Sequence, residues 1–370
     1  MLYIHIPFCR RRCSYCAFYS QPSRSVPDEY VDALCVELAQ RADGHPLRTV
    51  YIGGGTPSLL TPRQLERLVR CLDDHYDTSQ VEEFTLEGNP ESLRPEWLQA
   101  VAQLGKVNRL SIGVQALDDP LLRTLNRLHS RAEALRAVDD AFRWGFRNLS
   151  VDLIYGLPEL SEELWDKTLQ EVASWPISHL SCYTLTVEDG TLLQRQLERG
   201  LVELGSEEEV MRQYEQLLSW CSRTGWEQYE ISNFCRPGCE SRHNRRYWDR
   251  TPYIGLGAGA HSFDGRQRRW NKHDTRGYIE ALCHGAKDTY WEAETLDAHD
   301  AYNETLMTAF RTTAGLPKRV LPPDWLQRLR EDMQPFVTRG LLEETPTHIR
   351  PTPLGLLQAD GISAALFVTR

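Results

Sequence analysis

The feature that most constrains this chain is a recurrence. Over its first two thirds a β-like run followed by a helix-like run is repeated six times. LYIHIPF precedes a helical segment at Asp28–Arg41, TVYIGGG precedes Pro62–Asp74, and EFTLEGN precedes Pro95–Leu104. RLSIGVQ precedes segments at Asp118–Asn126 and Arg131–Trp144, NLSVDLIYGL precedes Ser161–Ser174, and HLSCYTL precedes Ser206–Arg223. Six βα units in succession predict an α/β fold of parallel strands covered by helices, either a barrel or an open doubly wound sheet. The strand ends favour the barrel. They carry Cys9, Gly53–Thr56, Glu87, Gln115, Asp152 and Tyr183, and in α/β barrels the loops at the carboxyl ends of the strands build the active site. The expectation is a partial (βα)6 TIM-like barrel over residues 1–225.

After Trp226 the rhythm stops. EQYEISNFCRPGCESRHNRRYWDRTPYIGLGAGAHSF is rich in glycine, aromatics and turn formers, which predicts an irregular extension over 226–298. Residues 299–370 predict a smaller α+β module. A helix begins near His299 with Leu306 and Phe310 on one face, a second runs over Pro322–Gln334, and GLLEETPTHIRPTPLGLLQA reads as a hairpin feeding a helix, winged-helix-like. A DNA-binding role does not suit the chain's net charge of −10. Packing or substrate gating suits the module better. No apolar run reaches membrane-spanning length and MLYIHIPF leads to no cleavage site, so the expected compartment is the cytoplasm.

The ten cysteines are too sparse for a disulfide framework. Cys35, Cys71, Cys182, Cys221 and Cys283 are scattered and read as buried, inert thiols. FCRRRCSYCAFYS is different, because Cys9, Cys13 and Cys16 are spaced C-x3-C-x2-C. Three thiolates on one loop can hold three irons of a [4Fe–4S] cluster and leave the fourth open. Zinc, with His5 or a remote residue as fourth ligand, is the alternative that spacing alone leaves standing.

With Tyr15 ahead of the last cysteine, this motif resembles the signature of the radical S-adenosylmethionine (SAM) superfamily. The resemblance implies a SAM molecule chelated by the open iron, and reductive cleavage to a 5′-deoxyadenosyl radical. It also implies SAM contacts at Tyr3, Tyr15, Gly54, Gly55, Thr56, Glu87, Gln115, Arg127 and Asp152. Physically, glycine lets backbone approach a ligand closely, carboxylates suit ribose hydroxyls or a sulfonium, and arginine suits a carboxylate. For the glycines the plain alternative is a strand-to-helix turn, and for Arg127 and Asp152 it is a salt bridge. A low-potential electron donor, flavodoxin-like, is implied too. Arg10–Arg12 would either dock it or offset the cluster's negative charge.

LYIHIPFC, GGGTPS, SIGVQ, DLIYGLP, HNRRYW and GLGAGAHS resemble more narrowly the oxygen-independent coproporphyrinogen III oxidase group, over almost the whole chain. That group contains the oxidase and a haem-chaperone branch. The oxidase carries a further cysteine two residues after the third, where Phe18 stands here, and an N-terminal extension that this chain is expected to lack. Both departures, and HNRRYW, look like the chaperone branch. The resemblance therefore implies haem and a haem-acceptor protein as partners, with no nucleic acid. Coproporphyrinogen oxidation remains the alternative, and a radical SAM enzyme of unrelated substrate a third.

In HNRRYW, His243 offers an axial imidazole, Tyr247 and Trp248 offer flat faces, and Arg245 or Arg246 could meet propionates. Asn244 belongs to the same motif and His261 is a second imidazole. The competing reading is an aromatic and polar segment that packs the extension onto the barrel, with His243 and Asn244 fastening turns. Cys235, Cys239 and His243 are also spaced C-x3-C-x3-H, which reads either as part of a metal site or as a Pro237–Gly238 turn with incidental thiols.

Overall fold

The computed structural model describes residues 1–285 and 289–369. Its wall is six parallel strands: β1 (Leu2–Ile6), β2 (Thr49–Gly54), β3 (Glu83–Gly88), β4 (Arg109–Gln115), β5 (Asn148–Tyr155) and β6 (His179–Thr184). They pair in chain order, each adding to the same side of the last. A doubly wound sheet would reverse direction at a switch point. A sheet that never reverses, with right-handed crossovers, puts every helix on one face and curls around the other. The partial barrel is therefore what is observed, and the expected strand ends meet at its mouth.

The covering helices are α1 (Asp28–Arg41), α2 (Pro62–His75), α3 (Pro95–Leu104), α4 (Asp119–Thr124), α5 (Arg131–Arg143), α6 (Glu162–Val172), α7 (Leu192–Glu198) and α8 (Glu207–Thr224). Their starts are set by local chemistry. Thr61 with Gln64, Ser130 with Glu133 and Ser206 with Glu209 each form a reciprocal capping box, stabilising a helix end by about 1 kcal/mol. Apolar side chains from Leu2 through Tyr278 form one contiguous core between wall and helices.

The extension is more ordered than its composition predicts. It supplies β7 (Glu227–Gln228), β8 (Asn233–Cys235) and β9 (Ile254–Leu256). β9 pairs parallel to β1 at one edge, and β8 pairs antiparallel to β6 at the other. Both free edges of the wall are thus covered, which removes exposed strand hydrogen-bonding groups. HNRRYW, expected among loops, forms α9 (Arg242–Trp248), capped by Ser241. Glu37 of α1 ties the extension down. Fully buried, it accepts from Tyr278 Oη at 2.7 Å, Asn271 Nδ2 at 2.9 Å and Gly257 N at 2.9 Å. A buried carboxylate is tolerable only when satisfied in this way.

The tail has its own core, including Leu306, Phe310, Leu316, Leu329, Leu342 and Ile349. It contains α11 (Ala298–Ala309), which follows α10 (Thr275–Cys283), and α12 (Pro323–Asp332). A hairpin of Leu342–Glu344 with His348–Pro351 leads into short helices at Pro353–Leu356 and Ala359–Ala365. No described helix is long and apolar enough to cross a membrane.

Two cysteine expectations need correction. Cys182 and Cys221 are buried, but Cys35, Cys71 and Cys283 are only partly so. Cys71 is not inert by environment. A hydrogen bond with the Cys35 side chain, with His75 nearby, holds its thiol down at about 7.

Candidate functional site

A cavity of about 430 Å³ opens at the carboxyl ends of the strands, and Cys9, Cys13 and Cys16 line it. The cysteine loop is pinned from behind by α4. Ser14 N donates to Leu125 O at 3.1 Å, Ser14 Oγ to Thr124 O at 3.1 Å, and Asn126 Nδ2 to Arg12 O at 2.8 Å. From the other side β2 presses against it. At Gly55 a Cβ would lie 2.7 Å from Phe8 O and 2.9 Å from Ile6 O, so no side chain fits there.

The thiols are held by a closed run of polar groups. Thr56 Oγ1 donates to Cys9 Sγ at 3.4 Å, and Arg127 Nη1 donates to Cys13 Sγ at 3.3 Å. Arg127 Nη2 reaches Asn89 Oδ1 at 2.8 Å and Gly113 O at 2.6 Å, while Asn89 Nδ2 donates to Thr56 Oγ1 at 3.1 Å. Two of the three cysteines are thereby bridged through Arg127, Asn89 and Thr56. Burial pushes the Cys9 thiol up and the Cys16 thiol to about 11. Metal binding would displace those protons, since thiolate is the ligand.

Of the residues predicted to contact SAM, Tyr15, Gly54, Gly55, Thr56, Glu87, Gln115, Arg127 and Asp152 all line this cavity. Glu87 accepts from Tyr51 Oη at 2.6 Å and from Gly54 N at 3.0 Å, yet burial still raises its carboxyl to about 7. Asp152 is likewise raised by burial, with Ser111 Oγ donating to it at 3.3 Å. Two buried carboxyls, an arginine and glycine backbone on one cavity wall suit a ligand carrying hydroxyls, a carboxylate and a positive centre. Gln115 sits where the β4–β5 register shifts, with φ 67°. Such strain in a non-glycine residue is characteristic of binding sites. Gly113 is a cradle of the same kind, since a Cβ there would lie 2.9 Å from Gln115 Nε2 and 3.0 Å from Asn89 Oδ1.

Tyr3 is the exception. Its hydroxyl bonds His5 Nδ1 at 2.8 Å, and it does not line the cavity. His5 in turn spends its other nitrogen on Tyr19 O at 3.1 Å, and burial lowers it to about 4. Both its nitrogens are occupied, so it is not poised as a zinc ligand. Among the described residues no three His, Cys, Asp or Glu side chains converge on a point as a single metal ion requires. Three thiols spread round one cavity wall fit a multi-iron cluster better.

The HNRRYW motif stands apart from the mouth. His243 lies at the amino-terminal ends of β2 and β3, fully buried. Its Nδ1 is 2.9 Å from Thr49 Oγ1 and its Nε2 is 3.2 Å from Tyr247 Oη. Burial lowers it to about 3. In this conformation both nitrogens have partners within the protein, the arrangement that the packing alternative expects. The Glu83 carboxylate caps α9 from the barrel, accepting from Arg242 N at 2.8 Å and His243 N at 3.0 Å. Asn244 N closes the Ser241 cap, and Tyr247 packs edge-on against His243 and Tyr253. Trp248 lies on the helix face turned from the barrel. His261 pairs across to Trp270 and does not line the mouth. Cys235 is buried in β8, and with His243 occupied the C-x3-C-x3-H metal reading fails.

Asn89, Ser111 and Tyr51 were missed by sequence reasoning. Asn89 was legible in principle, as the polar residue following Glu87 in LEGNP at a strand end. The Tyr51 contact across to Glu87 was not.

Comparison with known proteins follows the same lines. The radical SAM superfamily profile matches residues 3–172, and that of the HemN C-terminal domain matches 296–357. The protein named heme chaperone HemW from Mycobacterium tuberculosis is 35% identical, over 99% of this chain and 94% of its own length. The HemW of Lactococcus lactis is 38% identical over 85% and 82%. Among solved structures, coproporphyrinogen III oxidase (HemN) from Escherichia coli superposes with a TM-score of 0.85 at 22% identity, covering 99% of this chain and 89% of that one.

Proposed function

Because this chain belongs to the radical SAM superfamily, and within it to the HemW-like proteins, we propose that it is a haem chaperone. It would carry a [4Fe–4S] cluster on Cys9, Cys13 and Cys16 with SAM beside it, bind haem, and pass the haem to an acceptor protein. The observation that carries this reading is Phe18. It stands at the mouth where the oxidase places a further cysteine, and it is 70% exposed, filling no structural role in the core. The full-length likeness to relatives named as haem chaperones supports the same choice.

The cofactor assignment draws on the cavity. A bound cluster would supply an electron to SAM, and the superfamily is defined by that pair. The protein's own part is to fix the Cys9 and Cys13 thiolates through Thr56 and Arg127, and to offer Gly54, Glu87, Gln115 and Asp152 to the ligand. Arg10, Arg11 and Arg12 are exposed and make no ion pair with the described residues, which suits a surface where an acidic, flavodoxin-like donor docks. The expected compartment is the cytoplasm, where such thiols stay reduced.

The test offers coproporphyrinogen III to anaerobically reconstituted protein with SAM and a strong reductant, and follows the divinyl product by chromatography. The chaperone reading expects no turnover while the SAM-dependent spectroscopic signal of the cluster persists. Turnover would place the chain with the oxidases despite Phe18.

A further inference from the structure

The helical layer outside the barrel carries a pair of thiols that the cluster site does not use. Cys35 of α1 and Cys71 of α2 meet where the two helices pack, and neither lines the cavity at the mouth. Cys71 Sγ lies 3.5 Å from Cys35 O, and the two side chains are within hydrogen-bonding reach of each other. Both residues are partly exposed.

Their surroundings make the two thiols unequal. His75, one turn on from Cys71, places Nδ1 at 2.9 Å from Cys71 O and 3.9 Å from Cys71 Sγ. A carbonyl only accepts, so Nδ1 carries the proton and presents an N–H to the sulfur. The Cys35 hydrogen bond first, and His75 after it, hold the Cys71 thiol down at about 7. The same hydrogen bond, with burial, pushes the Cys35 thiol up. The charged groups around the pair are Asp32 and Arg67, which form an ion pair between the two helices, and Asp74 beside Cys71. Cys283 of α10 lies further along α1, near Glu29 and Asp32. An accessible cysteine with thiolate character beside a protonated one is the arrangement of an attacking and a resolving thiol. Exchange with a disulfide is fastest when the attacking thiol titrates near the ambient pH.

We propose that Cys71 and Cys35 form a reversible modification site for low-molecular-weight disulfides, Cys71 attacking and Cys35 resolving. The Cys71 thiolate attacks one sulfur of the small disulfide, forming a mixed disulfide and releasing one small thiolate. The Cys71 charge that held the Cys35 proton is then gone, and Arg67 favours the Cys35 thiolate. Cys35 gives its proton to water and attacks Cys71 Sγ, which breaks the mixed bond and releases the second small thiol. The protein loses two electrons, the small disulfide gains them as two thiols, and α1 becomes joined to α2.

The test incubates anaerobically reconstituted, cluster-loaded protein with glutathione disulfide, quenches in acid, and maps the cysteine peptides by mass spectrometry. Wild type is expected to give a linked Cys35–Cys71 peptide, reversed by excess reduced glutathione, with the cluster's absorbance unchanged. Cys35→Ser should stop at glutathione on Cys71, and Cys71→Ser should leave Cys35 unmodified. Circular dichroism checks that both variants are folded, and two measurements need no variant. One is the wild-type map. The other is the pH dependence of iodoacetamide alkylation at Cys71, expected to be half-maximal near pH 7 and several-fold faster there than at Cys283. A link from Cys35 to Cys283, glutathione accumulating on wild-type Cys71 without the link, or Cys71 left free would each overturn the proposal. An alkylation midpoint in the ordinary thiol range would remove Cys71 from the attacking role.

Discussion

Replacing Glu87 by Gln should change how stability depends on pH. Burial raises this carboxyl from 4.5 to about 7, even though Tyr51 and Gly54 donate to it. A carboxyl with a raised folded pKa stabilises the folded state fully below its unfolded value. That contribution is lost as pH rises through the folded value. The shift corresponds to roughly 3 kcal/mol between about pH 4 and pH 7.5. His5 and His243 act in the opposite sense. Burial lowers them to about 4 and about 3, so their contribution is present above about pH 6.5 and falls away in acid. The wild-type curve mixes both trends, and the difference between wild type and Glu87→Gln isolates one. Urea unfolding of cluster-free protein, followed by circular dichroism at several pH values, measures that difference. The variant should gain on wild type by roughly 3 kcal/mol from the acid to the neutral end of the range. A constant difference at all pH values would refute the argument. It would mean that the Tyr51 and Gly54 hydrogen bonds balance desolvation and that Glu87 titrates alike in the folded and unfolded states.

Arg127→Lys keeps the charge but cannot bridge Cys13, Asn89 and Gly113 at once; iron and sulfide retained after anaerobic gel filtration should fall several-fold, with the remaining cluster's EPR spectrum altered. Gly113→Ala places a methyl in the cradle beside Gln115, Asn89 and Arg127; SAM affinity should drop about tenfold while iron content stays at the wild-type level, as equilibrium binding and iron analysis will show. His243→Phe leaves Thr49 and Tyr247 without their buried partner and should cost about 2–4 kcal/mol by urea unfolding. The folded fraction should still bind haemin with the wild-type Soret band.

The barrel was legible because its signal is redundant. Six strands, each followed by a helix with its own cap, state one topology many times over. The cysteine loop and most of the mouth were legible for a related reason, since a strand end is where a polar residue after an apolar run has least structural excuse. Asn89 and Tyr51 were not, because their roles depend on which side chain lies across a neighbouring strand. Glu37 escaped for the same reason. Nothing in DALCVELAQ distinguishes a solvent-facing glutamate from one that fastens Gly257, Asn271 and Tyr278 more than 200 residues away. The extension was read as irregular because its strands are short, two or three residues in Glu227–Gln228, Asn233–Cys235 and Ile254–Leu256 and five at most in Gln267–Asn271 and Trp291–Thr295. Two of them are held by the barrel's edges and three pair with one another in a separate antiparallel sheet, and local composition carries no trace of a partner.

HNRRYW shows what residue chemistry omits until a helix is known. Read as a loop, its histidine, tyrosine and tryptophan are three recognition groups free to face one ligand. As a helix, each residue turns by about 100° from the last. His243 and Tyr247, four apart, then fall on one face, and both are turned to Thr49, Tyr51 and Tyr253. Trp248 lies roughly 140° round from His243, with Arg245 on the same outer side. The two halves of the motif must therefore do different things. The Glu83 carboxylate decides which half faces inward, because it caps α9 from the base of β3 and so fixes the helix's rotation. His243 is on the side that closes the barrel, and a substitution there reports on packing before it reports on any ligand. The outward half has a cavity in front of it and an indole N–H without a partner. That difference is why a His243 variant has to be read by unfolding before it is read by any ligand titration.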